Sequence, residues 1–154
     1  MIADLAPKSP TRRRKAMNAD IKISDFMDTH PAFVAADASI IEAVDILLKK
    51  GISGAPVVNE HKHVIGFISE KDCIKKLLLS SYHCDAPATV GEVMHKATVT
   101  VDPEASIVDL ANYMDDHRPK VYPVVDDGKL VGVISRTHVL MALKQKQLQC
   151  SQHS

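Results

Sequence analysis

Apolar and polar positions along this chain follow two different periods. From residue 40 the apolar residues are Ile40, Ile41, Val44, Leu47 and Leu48, the stripe that one face of an α-helix presents. Ser39 stands just before them with Glu42 three residues on, the spacing of a capping box, and Gly51 is a natural stop. The pattern then shortens. Ala55–Asn59 and His63–Ile68 read as strands joined by a polar turn, and Ala32-Phe33-Val34 is a short extended piece upstream. Ser69 opens a second helix, whose buried side is expected to hold Cys73, Ile74, Leu77 and Leu78.

The same order returns later in the chain. At an offset of 67, Met27 falls on Met94, Val34 on Val101, Ala38-Ser39-Ile40 on Ala105-Ser106-Ile107, and Pro56-Val57-Val58 on Pro123-Val124-Val125. One residue drops out in the next loop. At an offset of 66, Gly66 matches Gly132, Ile68-Ser69 matches Ile134-Ser135, and Leu77 matches Leu143. An ordered series with one loop deletion is a tandem duplication. In the second copy Ser106 and Asp109 cap a helix with Ile107, Val108, Ala111 and Met114 on its apolar stripe. Val121–Val125 and Lys129–Ile134 are strands joined at Asp127-Gly128, a favoured hairpin turn, and Val139, Leu140 and Leu143 face inward from the last helix. The expected division is an arm over residues 1–20, copy one over 21–79, a linker over 80–88, copy two over 89–146 and a tail over 147–154. A copy of roughly 55 residues is marginal as a stand-alone core, so the pair, packed sheet to sheet, is the expected folding unit.

Composition narrows the function classes. The 154 residues are 45% apolar and 25% charged, with 19 basic against 19 acidic side chains. The balance is uneven. Residues 1–20 carry Lys8, Arg12, Arg13, Arg14 and Lys15 against Asp4 and Asp20, a flexible arm of +3 before a body of −3. That distribution argues against a nucleic-acid-binding surface, and 4% aromatics without Trp argues against base-stacking platforms. The arm's contact with nucleic acid would rest on Arg12–Lys15 alone, and Met17 offers a second place for translation to begin. Cys73, Cys84 and Cys150 share no CxxC spacing and fit reduced thiols in a cytosol better than disulfides or a zinc site. With no apolar run of about 20 residues and no signal-peptide pattern, the expectation is a cytoplasmic protein without a membrane partner.

Several segments together resemble a pair of cystathionine-β-synthase (CBS) domains, the Bateman module. They are Ile23-Ser24-Asp25-Phe26-Met27, Ser53-Gly54-Ala55-Pro56-Val57-Val58 and Gly66-Phe67-Ile68-Ser69-Glu70-Lys71-Asp72. Copy two repeats them as Val90-Gly91-Glu92-Val93-Met94, Lys120-Val121-Tyr122-Pro123-Val124-Val125 and Gly132-Val133-Ile134-Ser135-Arg136-Thr137-His138. The resemblance implies an α/β (α+β) fold of tandem β-α-β-β-α repeats with pseudo-twofold symmetry, commonly a disc-like homodimer. It also implies a regulatory role, with clefts between the repeats that bind adenine nucleotides or related adenosyl ligands.

The resemblance also points to residues. In Ser69-Glu70-Lys71-Asp72, Asp72 stands where the family places a carboxylate on the ribose hydroxyls, with Ser69 and Lys71 beside it. A carboxylate suits two vicinal hydroxyls, and the adjoining helix N-terminus favours phosphate. Without a ligand, the same Ser-x-x-Asp is an acidic capping box. Copy two departs: His138 replaces the acid in Ser135-Arg136-Thr137-His138, and one imidazole cannot accept two hydroxyl protons. That cleft, with Thr137 beside His138, is expected to be weak, empty or altered in ligand, unless His138 meets a phosphate. Lys120, then Arg118 and His117, stand where the family draws phosphate contacts, and Ser53 is the copy-one counterpart of Lys120. Adenine would lie against Thr98 and Val121-Tyr122 in the Asp72 cleft, and against Pro31-Ala32 and Gly54-Ala55 in the other.

Other constellations carry less. His61-Lys62-His63 lies in a polar turn without a third ligand nearby, His83-Cys84 likewise, so no metal site is expected. There is no Gly-rich phosphate loop, no HExxH and no nucleophile elbow. The reading is a regulatory protein rather than an enzyme, without a required cofactor. It dimerises, binds AMP, ADP or ATP and acts in trans on an unknown protein target; S-adenosylmethionine, NAD or a cyclic dinucleotide also fit. The alternative is a ligand-free dimerisation scaffold.

Overall fold

The computed structural model of the protein describes residues 2–4, 21–82 and 86–152. Arg12–Lys15, Met17 and His83-Cys84 lie outside the described residues. Within the span read as a flexible arm, Ile2–Asp4 form a short strand, β1. Copy one runs β2 (Val34–Ala35), α1 (Ile40–Lys50), β3 (Gly54–Val58), β4 (Val64–Ser69) and α2 (Glu70–Ser81). A short helix α3 (Val90–Val93) leads into copy two: β5 (Thr98–Thr100), α4 (Ile107–Tyr113), β6 (Val121–Asp126), β7 (Lys129–Ser135) and α5 (Arg136–Gln152). Each copy is thus a β-α-β-β-α repeat.

The sheets follow the duplication. In copy one β2 lies parallel to β3 with Val34 opposite Val57, and β3 is antiparallel to β4 with Ala55 opposite Ile68. In copy two β6 pairs with β7, and Val101 makes a parallel bridge to Val124, the 67-offset image of Val34 and Val57. β3 is buried at all five positions, whereas β4 alternates, so β3 is central and β4 shows one face to the core.

Helix ends behave as their residue types dictate. The Ser39 hydroxyl accepts the Glu42 amide at 3.2 Å, and Gly51 closes α1 in the left-handed region at φ 64°. Ser106 accepts the amides of Val108 and Asp109 at the start of α4. The hairpin turn at Asp127-Gly128 has positive φ at both residues, 53° and 80°, which is the backbone a tight Asp-Gly turn needs.

The apolar stripes are wider than the core can cover. Ile40 and Leu47 are buried, but Ile41 is 46% exposed and Leu48 70%. On α2 only Cys73 of the expected inward set is buried; Ile74, Leu77 and Leu78 are exposed, and so is Leu140 on α5 beside buried Val139. The reason is geometric: a sheet covers one side of each helix, and these residues project from the flank beside it. Ile74, Leu77 and Leu48 instead wall an apolar groove of about 170 Å³ between α1 and α2.

Two compact units result, and their borders are not those of the copies. Unit 1 is built on Pro31–Thr98 and takes in Asp127–Leu130; unit 2 contains residues 21–30, Val99–Asp126 and the chain from Val131 onward. The segment ahead of each copy docks on the helix of the other. In unit 2, Ile23 N–H donates to Ala105 C=O at 2.9 Å and Ile107 N–H to Ile21 C=O at 2.9 Å. In unit 1, Val90 N–H donates to Ala38 C=O at 2.8 Å and Ile40 N–H to Ala88 C=O at 2.9 Å. Ile23 and Val90 are both fully buried, one in each core.

Candidate functional site around Asp72

At the junction of β4 and α2, Ser69 takes extended backbone angles and becomes the N-cap. Its hydroxyl accepts the Asp72 amide at 3.2 Å. The Asp72 Oδ2 in turn accepts from the Ser69 N–H at 2.9 Å and from its hydroxyl at 2.8 Å. This is the capping box expected from the spacing, and it fixes one carboxylate oxygen against the helix end. The other, Oδ1, accepts from His95 Nε2 at 2.7 Å; the Asp72 side chain is 14% exposed and the imidazole 66%.

His95 was not legible as a site residue. It sits after α3, far from Asp72 in sequence, and is carried to it by backbone pairing. Its N–H donates to Phe67 C=O at 2.8 Å, and Phe67 N–H donates to its C=O at 2.9 Å. Gly66 makes that approach feasible: a Cβ there would stand 2.7 Å from the His95 carbonyl oxygen and 2.5 Å from the Met94 sulfur. Thr98, 6% exposed, donates to the same carbonyl at 3.4 Å. Ser69, Asp72, His95 and Thr98 therefore form one connected group in unit 1, flanked by exposed Lys71.

The remaining candidates of unit 1 lie on and around β3 and just ahead of β2. Ser53 C=O accepts the Glu70 amide at 2.8 Å, fixing the first turn of α2. Gly54 faces Ser69 across the β3–β4 ladder, and a Cβ on it would meet the Phe67 ring at 2.5 Å. Ala55 is fully buried, and Pro31 and Ala32 are half-buried ahead of β2.

Unit 2 rebuilds the same corner with different chemistry. His138 takes the place of Asp72: its Nδ1 accepts the Ser135 amide at 3.0 Å and lies 3.0 Å from the Ser135 hydroxyl. An accepting Nδ1 puts the ring proton on Nε2. Where unit 1 has His95, unit 2 has Asp28, bonded both ways to Val133 as His95 is to Phe67. The acid and the histidine have exchanged elements, and Asp28 Oδ1 caps the His30 amide at 2.9 Å. Thr137 is exposed beside them.

Arg118, Lys120, Val121 and Tyr122 lie ahead of and within β6. The Arg118 guanidinium lies over the Tyr113 ring, 4.3 Å from its centroid, and donates to the Tyr113 hydroxyl at 2.8 Å. Lys120 is exposed, and its C=O accepts the Arg136 amide at 3.1 Å. Val121 is half-buried. The Tyr122 ring is fully buried in the core, its hydroxyl has no hydrogen-bond partner among the described residues, and burial, helped by Tyr113, pushes its pKa up to about 12.

His61 and His63 stand with ring centroids 6.3 Å apart. Among the described residues no group of three or more His, Cys, Asp or Glu side chains is arranged to hold a metal ion, and no helix is long and apolar enough to cross a membrane.

Two β-α-β-β-α repeats, each with a capped corner at the end of its last strand, define a tandem-repeat module. The chain belongs to the CBS domain family: the family model matches residues 23–79 and again 90–145. The solved structure of CBSX2 from Arabidopsis thaliana with AMP is 26% identical, superimposes with a TM-score of 0.71, and is matched over 82% of this chain and 98% of that one. The CBS domain pair of MJ0100, in complex with 5-methylthioadenosine and S-adenosyl-L-methionine, is also 26% identical, with a TM-score of 0.70 and the same shares covered. Among curated relatives, the A-adding tRNA nucleotidyltransferase of Aquifex aeolicus is 30% identical over 125 residues, 81% of this chain. The chain spans only 15% of that enzyme's length.

Proposed function

We propose that this CBS pair is a non-catalytic regulatory module that binds an adenine nucleotide or another adenosyl ligand through Asp72 and passes the bound state to a protein partner in trans. The observation that carries the reading is the Asp72 carboxylate, fixed at one oxygen by Ser69 and turned with the other toward an exposed imidazole at the N-terminus of α2. A carboxylate held in that way can accept from ribose hydroxyls, and the neighbouring helix end favours a phosphate. Two relatives with TM-scores of 0.70 or more carry AMP or adenosyl compounds, which supports the ligand class. Within unit 1 Thr98 remains the adenine-side candidate; within unit 2 Lys120 remains a phosphate candidate ahead of Arg118, which Tyr113 already engages. His138, committed to the cap, makes the second corner the weaker one.

The exposed apolar flank of α2, with Ile74 58%, Leu78 60% and Leu79 60% exposed, supports a homodimer. Exposed apolar residues grouped on one helix mark a candidate interaction surface. Mass spectrometry of small molecules released from freshly purified protein tests the ligand class. The expected result is an adenosine-containing compound released from wild type and absent from Asp72→Ala. Equal recovery from both removes Asp72 from the site.

A further inference from the structure

We infer that His95 is a latch on the ribose-binding carboxylate: the imidazole and an incoming ribose compete for Asp72 Oδ1, and ligand entry swings the ring away. This rests on the reading of Asp72 proposed above. A carboxylate offers about four lone-pair positions on its two oxygens. Oδ2 already accepts twice, from the Ser69 amide and hydroxyl, and Oδ1 accepts from His95 Nε2 at 2.7 Å. One position is left, whereas a pair of vicinal hydroxyls needs two. A partner must therefore leave.

The geometry selects which one. The Ser69 contacts are the capping box of α2, local in sequence and closed by two hydrogen bonds, so releasing them would open the helix end. The His95 contact is a single hydrogen bond from a ring that is 66% exposed, with solvent on its open side. Its backbone cannot follow the ring, because both its N–H and its C=O are bonded to Phe67 at 2.8 and 2.9 Å. The packing of Gly66 against Met94 and His95 closes the space behind it. Release is thus a side-chain rotation about a fixed backbone, and it changes what the surface beside α2 presents without moving the sheet.

Calorimetric titration with adenosine, which has no phosphate for His95 to touch, isolates the competition. The expected result is that His95→Ala binds adenosine about 2- to 10-fold tighter than wild type, the equivalent of removing one competing hydrogen bond. His95→Gln, whose amide can still donate to Asp72, is expected to stay near the wild-type affinity. In the same titration followed by NMR, the wild-type His95 ring resonances shift as adenosine saturates, while the backbone amides of Phe67 and His95 stay in place. Unchanged or weaker binding by His95→Ala, with wild-type binding still abolished by Asp72→Ala, overturns the latch and leaves the Asp72 reading standing. No adenosine or AMP binding by wild type overturns both. Should His95→Ala fail to fold, the NMR titration decides alone, and an unmoved His95 ring at saturation overturns the latch.

Discussion

Tyr122 carries a phenol hydroxyl into the core of unit 2, where it finds no hydrogen-bond partner among the described residues and the whole residue is inaccessible. An unsatisfied buried hydroxyl costs about 1–3 kcal/mol. Tyr122→Phe is therefore expected to match or exceed wild type in denaturant unfolding at neutral pH. Alkali sharpens the contrast. The folded pKa is raised from 10.0 to about 12, so the unfolded chain releases this proton first. Stability is fully present below pH 10 and is lost as the pH rises through about 12, and Tyr122→Phe is expected to remove that part of the loss. Identical alkaline profiles for the two proteins would contradict the assignment. At this scale the sequence was half legible. Ser69 and Asp72 could be paired from spacing alone, because a capping box is local. His95 and Tyr113 could not, because their partners are set by backbone pairing and by packing between elements that spacing does not encode.

Elements were read more completely than the company they keep. Both capped helices, the four main strands and the Asp127-Gly128 turn follow from periodicity and turn chemistry, and the structure has them. Which flank of each helix is buried did not follow: an apolar stripe does not say which of its residues the sheet covers, and Ile41, Leu48, Ile74 and Leu140 are left exposed. Nor did the exchange of leading segments, since a repeat alignment assigns residues 21–28 to the copy they precede, whereas Ile23 is fully buried in the other unit. Ile23→Ala is accordingly expected to cost about 2–5 kcal/mol in urea unfolding, the range for emptying a filled aliphatic site. A cost below about 0.5 kcal/mol would show that the segment is a loosely attached leader.

For the whole molecule, duplication explains both the economy and the asymmetry. Equivalent residues fill both cores, among them Val34 and Val101, Ile40 and Ile107, and Ile68 and Ile134. The corners at the ends of β4 and β7 have diverged: Asp72 bonds His95 in one unit, whereas in the other His138 bonds Ser135 and Asp28 caps the His30 amide. One strong adenosyl site per chain is the consequence proposed here. The apolar flank of α2 makes a second prediction: light scattering after size exclusion is expected to give a dimer, and Ile74→Glu to shift it to monomer at micromolar concentration. A wild-type monomer would contradict the dimer without touching the ligand reading. The central claim is tested most directly by calorimetry of wild type and Asp72→Ala with AMP. The account predicts saturable binding near one site per chain, weakened about 10- to 150-fold by the substitution, the worth of one charge-assisted contact. Equal affinity in the two proteins, or no binding by wild type, would contradict it.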